Sequence, residues 1–340
     1  MGRIILNRLD FQPRLLVISP FYNRAEVVER TLRSLSNQTY KSFCAFIWDD
    51  ASTDKTGVEL QRFASELNDT RFNIFIYPSN VGLTQGLNYA CLLGDFDYIA
   101  VVGSGDECDP ERLDRQVKAL DTNPDAVFCA TKSLSIDELT GCVFFDDSFD
   151  KKIIKRNDLL HSVPFTHGSV MYRRSKLIEA GLYDTVFKWC ADWDLFLRIL
   201  LLGDGIYIDE PLYKRYARMD GVSFNPKKSL EQIKYQCLVK ILSKHSITDR
   251  AYITKKAKEN LDAFLSCHTN EIYKTGLKRL IKLILMRRKK QSKEFQKLLE
   301  REYGNTLHIH FFVLIAKLIS LLPLNSNLLI QASRAIAAWF

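Results

Sequence analysis

No stretch of about 20 uncharged apolar residues occurs in the 340-residue chain, so the sequence offers no ordinary transmembrane helix. The eight cysteines (Cys44, Cys91, Cys108, Cys129, Cys142, Cys190, Cys237 and Cys267) include no C-x-x-C pair. That argues against a disulfide or zinc framework and for the reduced thiols of a cytosolic protein. With 15 glycines and 9 prolines, the composition suggests neither disorder nor collagen-like repeats. The opening MGRIILNRLDF holds too short an apolar stretch for a signal peptide. What the chain does have is 46% hydrophobic residues, enough to bury one large domain with an appendage.

The formal charge of +8 hides an asymmetry. From Pro226 onward there are 22 Lys and Arg against 8 Asp and Glu, whereas the preceding residues carry 26 against 32. A basic tail on an acidic body predicts a polyanionic partner, and an anionic membrane surface fits best. Nucleic acid is not expected, because no reading motif accompanies the charge.

Residues 14–130 alternate short apolar runs with helical spacing. Leu15–Ser19, Phe43–Trp48, Phe72–Tyr77, Tyr98–Val102 and Ala126–Ala130 read as strands. Between them lie stripes at Val28, Leu32 and Leu35; Leu60, Phe63 and Leu67; Leu83, Leu87 and Cys91; and Leu113, Val117 and Leu120. Strand–helix repetition predicts an α/β fold, a Rossmann-like, mainly parallel sheet with helices on both faces. Residues 131–225 read as an α+β continuation. A helical extension over 226–340 follows a boundary placed near Asn225–Pro226.

In such sheets ligands bind beyond the carboxyl ends of the strands. The first strand there ends in Ser19-Pro20-Phe21-Tyr22-Asn23, and the second in Asp49-Asp50-Ala51-Ser52-Thr53-Asp54. A carboxylate at that place can accept the imide N–H of a uracil or thymine ring. Asp54 reads better as a turn or cap residue. Asn80 is open between capping the next helix and facing a ligand. The fourth strand runs into Gly103-Ser104-Gly105-Asp106, where glycines let backbone approach a ligand and Asp106 is a hard oxygen ligand for Mg²⁺ or Mn²⁺. Asp109 reads as a cap for the helix opening at Pro110. Asp192, within Trp189-Cys190-Ala191-Asp192-Trp193-Asp194, is open between an N-cap and a general base.

Together these segments resemble the family 2 glycosyltransferases over roughly residues 14–224. VISPFYNRAEVVERTLRSLSNQTY looks like that family's first strand and helix, and IWDDASTDKT is similar to its D-D-x-S-T-D signature. NVGLTQGLN, GSGDECDPERLDRQV and ADWDLFLR follow in the family's order. The resemblance implies a GT-A-type fold and inverting transfer of a sugar from a nucleotide-diphosphate donor, a UDP-sugar being favoured. It implies donor-site roles for Pro20, Tyr22, Asn23, Asp49, Asp50, Asn80, Ser104, Asp106 and Arg218, a divalent metal at Asp106, and Asp192 as base. His167 and Trp189 fall on the acceptor side, and for His167 a purely structural role stays open. Three departures stand out: only the last acid of the family's D-x-D is present, Ala191 replaces the acid before the base, and Tyr216-Ala217-Arg218-Met219 lacks the usual histidine. Arg218 or Arg215 is the expected substitute at the diphosphate. The rival readings are a degenerate, non-catalytic scaffold and a nucleotidyltransferase, whose Gly-rich basic loop SPFYNRAE lacks.

The tail combines cationic and apolar residues at helical spacing over Lys278–Lys290, with apolar runs at Phe311–Leu322 and Leu328–Phe340. Packing on the protein and docking on an anionic leaflet are both consistent with that pattern. The expected location is cytoplasmic, peripheral to the inner face of the membrane. The expected acceptor is a glycan or lipid-linked sugar.

Overall fold

The computed structural model describes residues 12–145, 149–218, 221, 225–285, 288–304 and 306–320. The opening segment through Phe11, Met219 and the run Leu328–Phe340 lie outside the described residues. The chain forms two compact units, 1–136 with 145–216, and 137–144 with 217–340.

In the first unit β1 (Leu15–Phe21) leads into α1 (Val28–Ser36), β2 (Phe43–Asp49), α2 (Thr56–Leu67), β3 (Phe72–Ile76), α3 (Leu83–Cys91) and β4 (Tyr98–Val101). β5 (Glu107–Cys108), α4 (Arg112–Thr122), β6 (Phe128–Asp137), β8 (Ile153–Ile154) and β9 (Val170–Arg173) follow, while β7 (Val143–Phe145) falls mostly in the 137–144 segment of the second unit. The run closes with α5 (Arg174–Glu179), α6 (Ala191–Ile199) and β10 (Gly205–Ala217). The strand order is β3-β2-β1-β4-β9-β6-β10-β5, with β7 beside β6 and β8 beside β10. β1 runs parallel to both β2 and β4, and β2 parallel to β3, whereas β9 is antiparallel to β4 and to β6.

This is the mainly parallel α/β arrangement expected, and its cause is visible in the strands. Every residue of β2 is buried, as are all but Pro20 in β1, because helices cover both faces. Leu15, Val17 and Phe21 share one core with Val28, Leu32 and Leu35 of α1, Leu60 and Phe63 of α2, and Leu113, Val117 and Leu120 of α4. α3 lies against β1 on the other face. Its helical spacing is as read, but Leu83 is 52% exposed and the buried stripe runs instead through Gly86, Leu87, Ala90 and Cys91.

The second unit is helical: α7 (Pro226–Leu242), α8 (Ile247–Glu259), α9 (Leu261–Phe264), α10 (Thr269–Leu285), α11 (Lys289–Tyr303) and α12 (Thr306–Ser320). α7 opens with Pro226 in its first turn and Asn225 as its cap, Asn225 Oδ1 accepting from the Lys228 N–H at 3.1 Å. Leu277, Leu280, Ile281 and Ile284 of α10 are buried in this unit's own core beside Leu230, Ile233, Phe295 and Leu299. The apolar side of the 278–285 segment is therefore used in packing. α12 buries Ile309, Phe312, Val313 and Ala316 and leaves Phe311, Leu314 and Leu318 exposed. No described helix is long and apolar enough to cross a membrane.

Candidate active site

The carboxyl ends of β1, β2 and β4 meet in one crevice edge, with Phe21 in register with Asp49 and Val101 with Ile18. Two loops there are stitched together. Asn23, at φ 52°, accepts at Oδ1 from the Thr53 N–H (2.8 Å), while its own N–H donates to Ser52 Oγ (2.8 Å). Asp54 accepts from the Thr56 N–H (2.9 Å) and hydroxyl and from the Ala25 N–H (3.3 Å), the turn role expected of it. Asn23 thus fixes the shape of the loops and does not project freely. Tyr22, 47% exposed, is the aromatic face that the stitched loops hold out to solvent.

Asp49 and Asp50 are both buried. Asp49 closes its own turn by accepting from the Ser52 hydroxyl and N–H. Asp50 reaches across to the start of α3, one oxygen accepting from the Val81 N–H (2.8 Å) and the other from the Gly82 N–H (3.0 Å). Those N–H groups lie at a helix N-terminus, where an anion is favoured. Asn80 donates to the Asp50 carbonyl at 2.9 Å, so it neither caps α3 nor stands free; it braces the Asp50 turn. Each Asp50 oxygen is left with a lone pair beyond its one backbone bond.

The Gly103–Asp106 loop is held from beneath. Thr31, fully buried on α1, accepts from the Gly105 N–H (2.8 Å) and donates to the Asp106 carbonyl (3.0 Å). The Asp106 carboxylate points inward: Tyr213 of β10 donates its hydroxyl to Oδ2 at 2.7 Å, and the Tyr216 N–H donates to Oδ1 at 2.9 Å. The Tyr213 oxygen also accepts from the Gly103 N–H at 2.9 Å. Close approach explains two glycines. A Cβ on Gly103 would lie 2.5 Å from Asp106 Oδ2, and one on Gly168 would lie 2.1 Å from the Tyr213 oxygen. Burial pushes the Asp106 carboxyl up to about 6, against the hydrogen bonds and the charges of Arg215 and Arg30. Arg30 stacks on the Tyr216 ring at 3.8 Å and donates to the Gly105 carbonyl.

On the sequence reading Asp106 would face metal and diphosphate. Its two oxygens are turned into the sheet and committed to Tyr213 and Tyr216, and Gly103 and Gly105 supply no second acid. The adjacent Glu107 accepts from the Tyr216 hydroxyl (2.9 Å) and pairs with Lys214 (3.3 Å). As oriented here, the Asp106 carboxylate is buried with both oxygens hydrogen-bonded, and Glu107 is engaged by Tyr216 and Lys214. Ser104 is the part of this loop that stays half-exposed.

At the start of α6, Cys190 at φ 64° turns the chain into the helix and is its N-cap residue. Asp192 is therefore not the cap. It occupies the first turn, half-buried, and none of the described residues hydrogen-bonds its carboxylate. Asp194, 1% exposed, is the structural acid of this helix and pairs with Arg198 at 2.9 Å. Arg198 in turn donates to the carbonyls of Ala180 and Leu182. Trp193 is anchored by its indole N–H on the Leu159 carbonyl at 2.7 Å. His167, in a short 3-10 turn, lies with Nε2 2.8 Å from the Tyr183 hydroxyl. Burial lowers its pKa, against the charge of Asp192. Trp189 is half-buried with Lys188 5.7 Å from its ring.

α3 joins the two sides. Its first turn is held by Asp50, Thr84 donates to the Phe187 carbonyl (3.1 Å), and Asn88 exchanges two bonds with the Tyr183 backbone (2.8 and 2.9 Å). Arg218 belongs to the second unit and pairs there with Glu138 at 3.8 Å. Arg215 donates to Ser135 Oγ at 3.2 Å. Thr31, Tyr213 and Tyr183 are the site-shaping residues that the sequence reading missed. Thr31 left a faint signal, a hydroxyl within the buried stripe of α1. A cavity of about 460 Å³ lined by Arg14, Asp97, Tyr98, Asp121 and Arg173 lies at the amino-terminal ends of β1 and β4, away from this chemistry. Arg14 is already paired there with Asp97 (2.6 Å) and Asp121 (2.8 Å).

Parallel strands with carboxylates at their ends, and a half-buried acid in the first turn of α6, make up a candidate site on an α/β sheet. The profile of glycosyl transferase family 2 matches residues 16–181. The putative glycosyltransferase EpsE of Bacillus subtilis is 28% identical over 67% of this chain and 81% of its own length. The amylovoran biosynthesis glycosyltransferase AmsE of Erwinia amylovora is 27% identical over 55% of this chain and 70% of its own. Among solved structures, S. aureus TarS 1-349 in complex with UDP-GlcNAc superposes with a TM-score of 0.54 at 17% identity, covering 90% of this chain and 89% of that one. A mannosyltransferase of Pyrobaculum calidifontis in complex with GDP-Man and Mn²⁺ gives 0.52 at 16% identity, over 91% and 88%. Residues 16–181 carry a glycosyl transferase family 2 domain, and the chain has the GT-A fold and is a glycosyltransferase.

Proposed function

We propose that the protein transfers a sugar, with inversion, from a nucleotide diphosphate to an acceptor hydroxyl, and that Asp192 is the general base. The observation that carries this reading is the Asp192 carboxylate, half-buried at the start of α6 with no described hydrogen-bond partner, while Asp194 two residues on is sealed against Arg198. A base must keep a lone pair free for the acceptor's proton. The proton moves from the attacking hydroxyl to Asp192 as that oxygen bonds to the anomeric carbon, and the bond from that carbon to the diphosphate oxygen breaks on the opposite face, releasing the nucleoside diphosphate.

The donor lies along the carboxyl ends of β1, β2 and β4. Pro20 and Tyr22 flank the base, Asp49 and Asp50 form the polar wall behind it, and the free lone pairs of Asp50 suit an imide N–H, which favours a UDP-sugar. Ser104 lies toward the phosphates. His167 and Trp189 bound the acceptor, for which a lipid-linked or surface glycan is proposed; the name of AmsE, a polysaccharide-biosynthesis enzyme, supports that class. A divalent metal enters no step of this scheme, because Asp106 faces inward.

The second unit supports a place at the inner, anionic face of a membrane. Phe311, Leu314 and Leu318 form an exposed apolar line on α12, in a region rich in Lys and Arg. The test of transfer is incubation with a panel of nucleotide sugars and lipid-linked acceptors, followed by NMR of the product's anomeric proton. A product with the donor's anomeric configuration would overturn the inverting scheme.

A further inference from the structure

The sequence shows no local pair of metal-ligating cysteines, but the helical unit brings three such side chains together from distant positions. Cys237 lies on α7, His268 ends the 3-10 turn Ser266–His268, and Glu271 lies in the first turn of α10. One ligand atom from each lies within 4.8 Å of the other two. The Cys237 sulfur is 4.0 Å from Glu271 Oε2, and Glu271 Oε1 pairs with Lys240 at 3.2 Å. Lys240 therefore occupies one carboxylate oxygen and leaves the other facing the thiol. Cys237 itself is 3% exposed, His268 half-buried and Glu271 exposed, so the group opens to solvent on one side only.

We propose that Cys237, His268 and Glu271 form a Zn²⁺ site that clips α7 to the start of α10. A tetrahedral zinc with bonds of about 2.0–2.3 Å needs its ligand atoms roughly 3.3–3.7 Å apart. Closing from the present spacing takes about 1.5 Å or less, within the reach of the rotamers of His268 and Glu271. The donor set selects the metal. One sulfur, one imidazole nitrogen and one carboxylate oxygen suit Zn²⁺ and disfavour Mg²⁺ and Ca²⁺, which take oxygen alone. On binding, the thiol releases its proton to solvent and the thiolate bonds to the metal; a water fills the fourth position. The ion adds a bond between segments already joined by a shared apolar core, by Arg279 donating to Gln232 and by the solvent-screened Lys240–Glu271 pair.

The site is tested on the full-length protein, freed of metal by chelator and titrated with Co²⁺, which reports thiolate ligation by its near-ultraviolet charge-transfer band and tetrahedral geometry by strong visible bands. One equivalent should give both, and Zn²⁺ should abolish them. Cys237→Ser should lose the charge-transfer band, and Cys237→Ser and His268→Ala should each weaken Zn²⁺ binding roughly tenfold or more. Cys267→Ser should leave the spectrum unchanged. Zn²⁺ should raise the unfolding midpoint of the wild type and not that of Cys237→Ser, whose helical content by circular dichroism should match the wild type. A weak octahedral spectrum in the wild type overturns the proposal. So does a charge-transfer band that survives Cys237→Ser.

Discussion

Tyr213 donates its hydroxyl to Asp106 at 2.7 Å and accepts from the Gly103 N–H at 2.9 Å, so one phenol from the far strand β10 holds both ends of the Gly103–Asp106 loop. Tyr213→Phe should cost about 1–3 kcal/mol, because it leaves a buried carboxylate oxygen and a backbone N–H short of a partner. Urea unfolding of the two proteins measures the difference. Equal midpoints would show that Thr31, Arg30 and the Tyr216 N–H hold the loop without the phenol.

The same carboxyl gives a pH signature. Its folded pKa of about 6 lies above the unfolded value of about 3.9, so between those pH values the native state holds a proton that the unfolded state has released. Stability contributed by this group is therefore full below pH about 4 and falls as pH rises through about 6. The loss is on the order of 3 kcal/mol. Asp106→Asn should flatten that part of the wild-type profile, and unchanged curvature in the variant would assign the slope elsewhere.

Donor binding should not depend on a divalent ion at Asp106, whose oxygens are turned inward. Calorimetry with a UDP-sugar should give the same affinity in EDTA as in Mn²⁺. A large gain with Mn²⁺ that Asp106→Ala abolishes would restore the metal to that loop.

Asp192→Asn should lower turnover by roughly 10²–10⁴-fold while donor affinity stays within a factor of about two, since an amide keeps the shape but cannot take the acceptor's proton. Asp194→Asn should act differently. It breaks the Asp194–Arg198 pair, so its effect should appear first as lost stability. Near-normal turnover in Asp192→Asn removes it as the base.

The full-length protein should sediment with vesicles containing anionic lipid and be partly released by salt, which screens charge over about 10 Å at 0.1 M. Replacing Phe311, Leu314 and Leu318 with serine should weaken binding by roughly tenfold or more, from apolar area no longer buried in the interface. Equal sedimentation with neutral and anionic vesicles would contradict the electrostatic part.

The first four sheet strands and their covering helices were legible because their signal is local. β1 and β2 are continuous apolar runs, and α1 shows its buried face at Val28, Leu32 and Leu35. The crevice carboxylates were legible for the same reason, since each follows a strand end. What could not be read locally was direction. Asp106 and Asp50 are equally acidic in sequence, yet one is drawn inward by Tyr213, more than a hundred residues away, and the other across to Val81 and Gly82. The positive φ of Cys190, which makes it the N-cap and frees Asp192 from capping, comes from a tight turn that spacing does not encode. Leu83 fitted the helical stripe by spacing but lies in the exposed first turn of α3.

α3 acts as a gauge block between two parts of the candidate site. Asp50 seats one end of it, and Asn88 and Thr84 seat the segment that leads to Asp192, so nine residues of helix set how far the proposed base stands from the carboxylates proposed to line the nucleoside. The loops that meet the acceptor can then diversify without disturbing that spacing. A one-residue insertion in α3, by contrast, would rotate Asn88 off Tyr183 by about 100°, the turn per residue of a helix with 3.6 residues per turn, and put the two chemistries out of step.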